Sequence, residues 1–281
     1  MNVVRAYERT VERSRRRSRT FNHAWLAYHR YGENYGPRLA AAIAYYGFFA
    51  AFALSLVYVS ILGYTLAGDP AAAKAATAYL SQNLPFLSVE AISSARTTVG
   101  LAGLVGLLLT GVGWVDAMRS SQRLMWQLEQ QPGNMVWRRV IDFGMLVGLG
   151  LLLALSLWAV GGIRSVVPHW CDPLLSGLIN LVMAAALLNG VPRIRVAPRR
   201  MLAPVVLVGL GLTLLTTVGR FYVNHIAHNP AYRVVGAAAG LLVFLYLFNQ
   251  LLLFGAALAA TGRGTSRDLT ARPKPPVDVP A

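Results

Sequence analysis

The sequence predicts an all-α polytopic membrane protein, with six transmembrane helices and interfacial amphipathic helices beside them. Three observations carry that prediction. Of the 281 residues, 56% are hydrophobic and only 13% are charged, where a soluble globular domain carries roughly 25% charged residues. The apolar residues gather into six runs near the ~20 residues that a helix, rising ~1.5 Å per residue, needs to cross a hydrocarbon core of ~30 Å. The basic residues then fall on alternate connections between those runs. A water-soluble core, a disordered chain and a collagen are excluded by the same numbers. The single cysteine, Cys171, excludes a disulfide framework within the chain.

The elements follow in order. Residues 1–38 form a basic cytoplasmic tail and juxtamembrane helix, opening with the run RSRRRSR over residues 13–19. Phe21, Trp25, Tyr28 and Tyr35 recur near helical spacing among Arg19, His23 and Arg30. That pattern predicts an amphipathic helix lying at head-group depth. Gly32 and the Gly36-Pro37 pair turn the chain into the bilayer. The transmembrane domain spans 39–260, with spans at 39–67, 99–115, 143–163, 174–191, 201–218 and 234–260. No cleavable signal peptide is expected, because the first apolar run starts after almost forty residues and outruns an h-region.

Between the first two spans, residues 68–98 form the longest translocated segment, with a helix expected over 71–80 between Pro70 and Pro85. The main cytoplasmic loop, 118–142, predicts a helix through 125–128, a Pro132-Gly133 turn and re-entry at Trp137. Residues 261–281, with Pro273, Pro275 and Pro276, read as a disordered cytoplasmic tail.

Orientation comes from the arginines. Of 26 Lys and Arg residues, all but Lys74, Arg96, Arg164, Arg220 and Arg233 fall on one side of this topology. Basic segments resist translocation, so both termini are placed in the cytoplasm. The net charge of +15 is then a consequence of topology, facing an anionic leaflet. Membrane lipids and anionic phospholipid head groups are the expected partners. Nucleic acid is not, since no interleaving of aromatic and basic residues accompanies the arginine run.

No GxxxxGK[ST] loop, HExxH or paired CxxC occurs, so no cofactor, metal or enzymatic activity is expected. His225 and His228 lie three apart without an acid nearby, and His169 and Asp172 lack a motif-bearing serine. Polar groups at membrane depth are the better clue, since each costs free energy unless paired or wetted. Tyr45, Tyr46, Asn180, Asn189, Asn249 and Gln250 are candidates for a substrate path, with interhelical adhesion as the other reading of the amides. Candidates for head-group contact are Asp116, Arg119, Arg199, Arg200, Arg220 and Tyr222, of which Asp116 and Arg119 also read as a local ion pair. Gly144/Gly148 and Gly236/Gly240 are GxxxG pairs that permit close helix approach.

Several stretches resemble the YihY/virulence factor BrkB family of bacterial inner-membrane proteins. They are AAAIAYY at residues 40–46, HAWLAYHRYGENYGPR before it, WVDAMRSSQRLMW at 114–126, Gly190-Val191-Pro192 with Arg199-Arg200, and above all residues 232–258. The likeness covers roughly residues 23–262, and its glycine-rich, alanine-substituted form is similar to an envelope-integrity, YhjD-like branch. The resemblance implies six helices in the cytoplasmic membrane and a role in envelope integrity or in moving lipids or their precursors. A non-transporting scaffold for envelope machinery, with a protein partner or as a homo-oligomer, is the alternative. Ala50 and Ala53 stand where the family places Ser and Pro, and Gly255-Ala256-Ala257-Leu258 lacks the family's acid. A coupling proton carried by that acid in relatives has no seat here. The family's former ribonuclease label fits poorly, because the basic loops offer arginines and few of the carboxylates or metal ligands that RNA hydrolysis needs.

Overall fold

The computed structural model describes residues 15–70, 89–163, 172–226, 230–262 and 265–270, together with Glu12, Lys74 and Thr77. In chain order the elements are α1 (Arg19–Glu33), α2 (Gly36–Gly68), α3 (Val89–Met125), α4 (Met135–Ile163), α5 (Asp172–Asn189), β1 (Ile194–Val196), α6 (Pro198–Ile226), α7 (Pro230–Thr261) and β2 (Ser266–Asp268). Among the described residues, four helical stretches are long and apolar enough to cross a membrane: Gly36–Gly68, Ser94–Met125, Pro198–Tyr222 and Val235–Thr261. Leu174–Asn189 is apolar but shorter, and α4 runs for 29 residues. The most apolar stretch of each of the four is between 22% and 39% buried. Leu109, Leu151, Leu210 and Phe221 are among many large apolar side chains left facing outward. Water does not tolerate apolar surface on this scale. The fold is an all-α polytopic membrane protein.

α1 starts where Ser18 Oγ accepts the backbone N–H of Phe21 at 3.3 Å, a side-chain cap for one of the orphan donors of the first turn. One face buries Ala27 and Tyr31, and the other exposes Phe21, Leu26 and Tyr28, as the amphipathic pattern predicts. Two bonds fasten it to the bundle: a ring nitrogen of His23 to the Leu258 carbonyl at 2.9 Å, and Arg30 Nη1 to the Met125 carbonyl at 3.2 Å. Tyr35, with φ of 54°, breaks the helix and lets α2 begin at Gly36. Gly36 sits directly under the Tyr31 ring, where a Cβ has no room.

α2 and α3 pack most extensively, along a seam of glycines. A Cβ at Gly103 falls 2.9 Å from the Val57 backbone nitrogen, and one at Gly106 falls 3.3 Å from the Ala53 Cβ. These two, with Gly100, are among the close-packing glycines of that seam. The pair Gly144/Gly148 has open space where its Cβ atoms would be, so that GxxxG brings no described helix close. Gly240 does receive a neighbour, the Tyr222 ring.

Three further expectations are corrected. α3 does not stop at the membrane boundary expected near residue 115 but continues to Met125, and no helix covers 125–128. The chain turns at Trp126 and Gln127, where Gln127 takes a φ of 56°. The fold also contains a two-stranded antiparallel pairing, with Ile194, Arg195 and Val196 opposite Asp268, Arg267 and Ser266. The tail expected to be disordered from 261 is thus ordered at 266–268, because its backbone finds strand partners in the α5–α6 connection. Most of the expected helix over 71–80, Cys171, His169, His228 and the His225 side chain lie outside the described residues.

The ends of α3, α5 and α7 and the starts of α4 and α6 meet at one end of the bundle, cross-linked by side chains. The apolar core sits there too: Ile43, Met118, Met125, Leu188, Leu252 and Ala257 form one buried cluster. Ala257, where the family resemblance places an acid, is fully buried in it.

Candidate functional site

The same end of the bundle holds a buried cluster of charge. Arg119 and Arg123 occupy successive turns of α3 with no exposed surface, and Asp142 on α4 has none either. Arg119 Nε donates to Asp142 Oδ1 at 3.0 Å and its Nη1 to the Gln130 carbonyl at 2.9 Å, while Nη2 contacts Asp116. Arg193, on the α5–α6 connection, donates to the same Asp142 oxygen at 2.6 Å. Arg123 straddles the tail: Nη1 and Nη2 reach the two oxygens of Asp268 at 3.1 and 2.7 Å. It also donates to the carbonyls of Glu129 and Pro192 at 2.6 and 3.1 Å. Arg138 is buried and bonds Gln131 through both terminal nitrogens.

Burial and crowding leave their mark on the groups outside the spans. Desolvation lowers the pKa of Arg193, Asp142 opposes that, and the guanidiniums of Arg119, Arg123 and Arg138 lower it further. Burial works against ionisation of Asp268, but the hydrogen bonds from Arg123 and Thr270 outweigh it and hold its pKa at about 2. Thr270 supplies two of those bonds, from its backbone N–H at 2.9 Å and its hydroxyl at 2.7 Å. Burial raises the Tyr31 phenol to about 12, with Tyr246 adding to the shift.

The head-group candidates divide accordingly. Arg119 is fully buried and committed to two aspartates, so it is no free contact for a head group; Asp116 is its partner, with Arg139 at 3.7 Å. Arg200 donates to the terminal carbonyls of α7, Ala259 and Ala260, at 2.7 and 2.6 Å, and lies 4.8 Å over the Trp126 ring. It caps a helix whose last carbonyls would otherwise lack partners. Arg199 is exposed beside it. Arg220 and Tyr222 are exposed, and both line a groove of about 570 Å³ between α6 and α7, with Thr216, Ala237, Gly240 and Phe244. The Tyr222 hydroxyl is spent on the Gly236 carbonyl at 3.1 Å.

The path candidates scatter. Tyr45 and Tyr46 are 59% and 42% exposed on the outside of the bundle, in ring contact with each other, so they do not line its interior. Asn180 donates to Thr213 Oγ1 at 3.0 Å and ties α5 to α6. Asn189 and Asn249 donate to carbonyls of their own helices, at Ala185 and Leu245, and Gln250 is half-buried. Buried Asn249 Oδ1, Gln122 Oε1 and Trp114 Nε1 have no partner among the described residues, and no metal-binding group of His, Cys, Asp and Glu occurs among them. Sequence reasoning missed Arg123, Arg138, Asp142, Arg193 and Asp268. The available signal was the carboxylates: Asp142 and Asp268 are isolated acids inside arginine-rich segments, Asp142 at the edge of an apolar run.

The sequence pattern of the family described as "Virulence factor BrkB" matches residues 27–278, nearly the whole described bundle. The chain belongs to the BrkB family. It is similar to "Inner membrane protein YhjD" of Escherichia coli (strain K12), at 28% identity over 272 residues covering 85% of this chain and 80% of that protein. It is also similar to an uncharacterised protein of Dickeya dadantii (strain 3937), at 26% identity over 268 residues covering 83% and 80%. No solved structure matches. The BrkB membership accounts for the ordered likeness between residues 23 and 262, and it makes this chain a multi-pass membrane protein of an inner-membrane family.

Proposed function

We propose that the chain is a transporter-like protein that crosses the cytoplasmic membrane six times with both termini inside, and that it moves an anionic amphipathic component of the envelope, a lipid or lipid-linked precursor. The observation that carries this reading is the groove between α6 and α7. Its floor is apolar and small-residue, and its charged group is Arg220, two residues before the apolar stretch ends at Tyr222. A guanidinium at interface depth attracts a phosphate, and an apolar cleft beneath it accepts the chain that the phosphate carries. Because Tyr222 already bonds the Gly236 carbonyl, selection for the head group falls on Arg220.

The orientation rests on the arginine asymmetry, which puts the buried charge cluster at the cytoplasmic end and Arg220 at the outer one. No catalytic step belongs to this reading, and phospholipid head groups are the proposed partners. The test is translocation of fluorescent phosphatidylglycerol in proteoliposomes. Arg220→Gln should lose most of the flux and Arg220→Lys retain part of it. Unchanged flux in folded Arg220→Gln would refute this path and favour the scaffold reading.

A further inference from the structure

Of the three carboxylates in the charge cluster, Asp116 and Asp142 belong to the helices beside the arginines, whereas Asp268 arrives from the tail, 145 residues away from Arg123 in sequence. Without it, the guanidiniums of Arg119, Arg123, Arg138 and Arg193, with Arg139 at the rim, share two carboxylates. The bond it makes is the two-pronged one, both terminal nitrogens of Arg123 on both oxygens of Asp268 at 3.1 and 2.7 Å. A guanidinium presents that same fork to a phosphate. Beside it, the buried Nε atoms of Arg138 and Arg193 have no partner among the described residues, and Arg138 is only 7% exposed. The positive excess is therefore built into the cluster.

What keeps the tail in place is slight apart from this clasp. β1 and β2 pair over three residues each, flanked by one backbone bond from Ala197 to Thr265 and one from Leu269 to Arg193. Two short strands alone are marginal in stability. With the clasp closed, Arg123 is fully covered.

We infer that Arg123 is the centre of an anion seat that the chain fills with its own Asp268, and that a phosphate group exchanges with this carboxylate and releases the β2 strand from β1. The tail strand is a plug, and the phosphate is its competitor. Opening exposes Arg123 and the unfilled donors of Arg138 and Arg193 to the incoming oxygens. Linkage makes the exchange reciprocal: bound phosphate disfavours plug closure, and a closed plug weakens phosphate binding, so loss of the Asp268 charge should raise phosphate affinity. This device does not depend on transport.

The test uses the full chain in phosphatidylcholine nanodiscs, with Cys171→Ser and a cysteine pair introduced by Arg195→Cys and Arg267→Cys. Positions 195 and 267 oppose each other in the strand register and are exposed. The initial rate of disulfide formation under mild oxidant reads plug closure. Added phosphatidic acid in the disc, or glycerol 3-phosphate in the buffer, should slow it about tenfold, within the usual range of coupling between sites. A response to phosphatidic acid alone assigns the seat to a lipid head group, and a response to glycerol 3-phosphate assigns it to a free phosphate ester; either supports the exchange.

Asp268→Asn in the same background should show the slow rate without ligand, and native mass spectrometry should find about tenfold more phosphatidic acid retained. Asp268→Glu should restore closure. A rate insensitive to both phosphates overturns the inference without reference to any variant at 268. So does a phosphate response that survives Arg123→Gln.

Discussion

Asp142→Asn should be the most damaging conservative change in this protein. The Asp142 carboxylate has no exposed surface and accepts from Arg119 Nε at 3.0 Å and Arg193 at 2.6 Å, with Arg119 Nη2 at 3.4 Å from its second oxygen. At an effective dielectric of about 20, unit charges 4 Å apart attract by ~4 kcal/mol, and here two pairs are closer than that. Desolvation offsets much of this gross attraction, but removing only the anion leaves the offset uncompensated, and truncating one partner of a buried pair costs about 3–5 kcal/mol. At roughly 2–4 °C per kcal/mol for a chain of this order, the midpoint of thermal unfolding in detergent should fall by about 10 °C. Asp116→Asn should do much less, because Asp116 is 15% exposed and Arg119 keeps Asp142. The double variant Asp142→Asn/Arg193→Gln should recover part of the loss, a coupling of ~0.5–3 kcal/mol in a mutant cycle. A shift under about 2 °C for Asp142→Asn, or strict additivity with Arg193→Gln, would refute the view that this cluster holds the bundle end together.

Further outcomes follow from the same geometry. The Tyr31 hydroxyl is buried without a partner among the described residues, so Tyr31→Phe should leave the melting midpoint unchanged or higher, since losing an unsatisfied polar group is neutral or favourable. Its pKa is raised from 10.0 to about 12; the stabilisation is full below the unfolded value and lost as pH rises toward the folded one, so the tyrosinate absorbance missing from Tyr31→Phe should be that which develops toward about pH 12, with the fold weakening as it appears. For Asp268 the sign is opposite: its pKa falls from 3.8 to about 2, so tail closure, read as the separation between spin labels at 195 and 267, should hold down to about pH 5 and be lost only as pH approaches the folded value. Arg200→Lys loses the forked cap on Ala259 and Ala260 and the stacking on Trp126, and should cost ~1–2 kcal/mol with a change in tryptophan fluorescence. Asn180→Leu should cost ~0.6–2 kcal/mol through the lost bond to Thr213 and leave lipid flux intact.

The bundle was legible in the sequence because hydrocarbon imposes a length and a composition that few other environments would accept. Residues 39–67 and 234–260 fall inside α2 and α7 for that reason. The ends were less legible. Nothing in apolar periodicity distinguishes the membrane boundary expected near residue 115 from the helical end at Met125, since the helix continues through Arg119 and Arg123 by burying them. The GxxxG pattern selected Gly144/Gly148, which packs against nothing described, and passed over Gly103 and Gly106, because spacing marks small residues without saying which face meets a neighbour. Tyr45 and Tyr46 went to the outside for a related reason: a phenol in a span was assigned to the interior on polarity, while its ring is as well placed against lipid. Asp268 was out of reach of local reading altogether, because its value comes from a partner 145 residues away.

The proposed orientation rests on the distribution of basic residues, yet counting them says nothing about which remain in water. Topology alone would accept lysine as readily as arginine, but of the 26 basic residues only Lys74 and Lys274 are lysines. At Arg119, Arg123 and Arg200 the reason is visible: the contacts are forks onto carboxylates and carbonyls, a planar geometry that an ammonium cannot match. The arginine-rich segments are thus the material that joins five helix ends. Such a join holds only while its carboxylates are supplied, two from the flanking helices and one from a three-residue strand. The bundle end is therefore tied by an ionic contact that a competing anion is chemically equipped to replace.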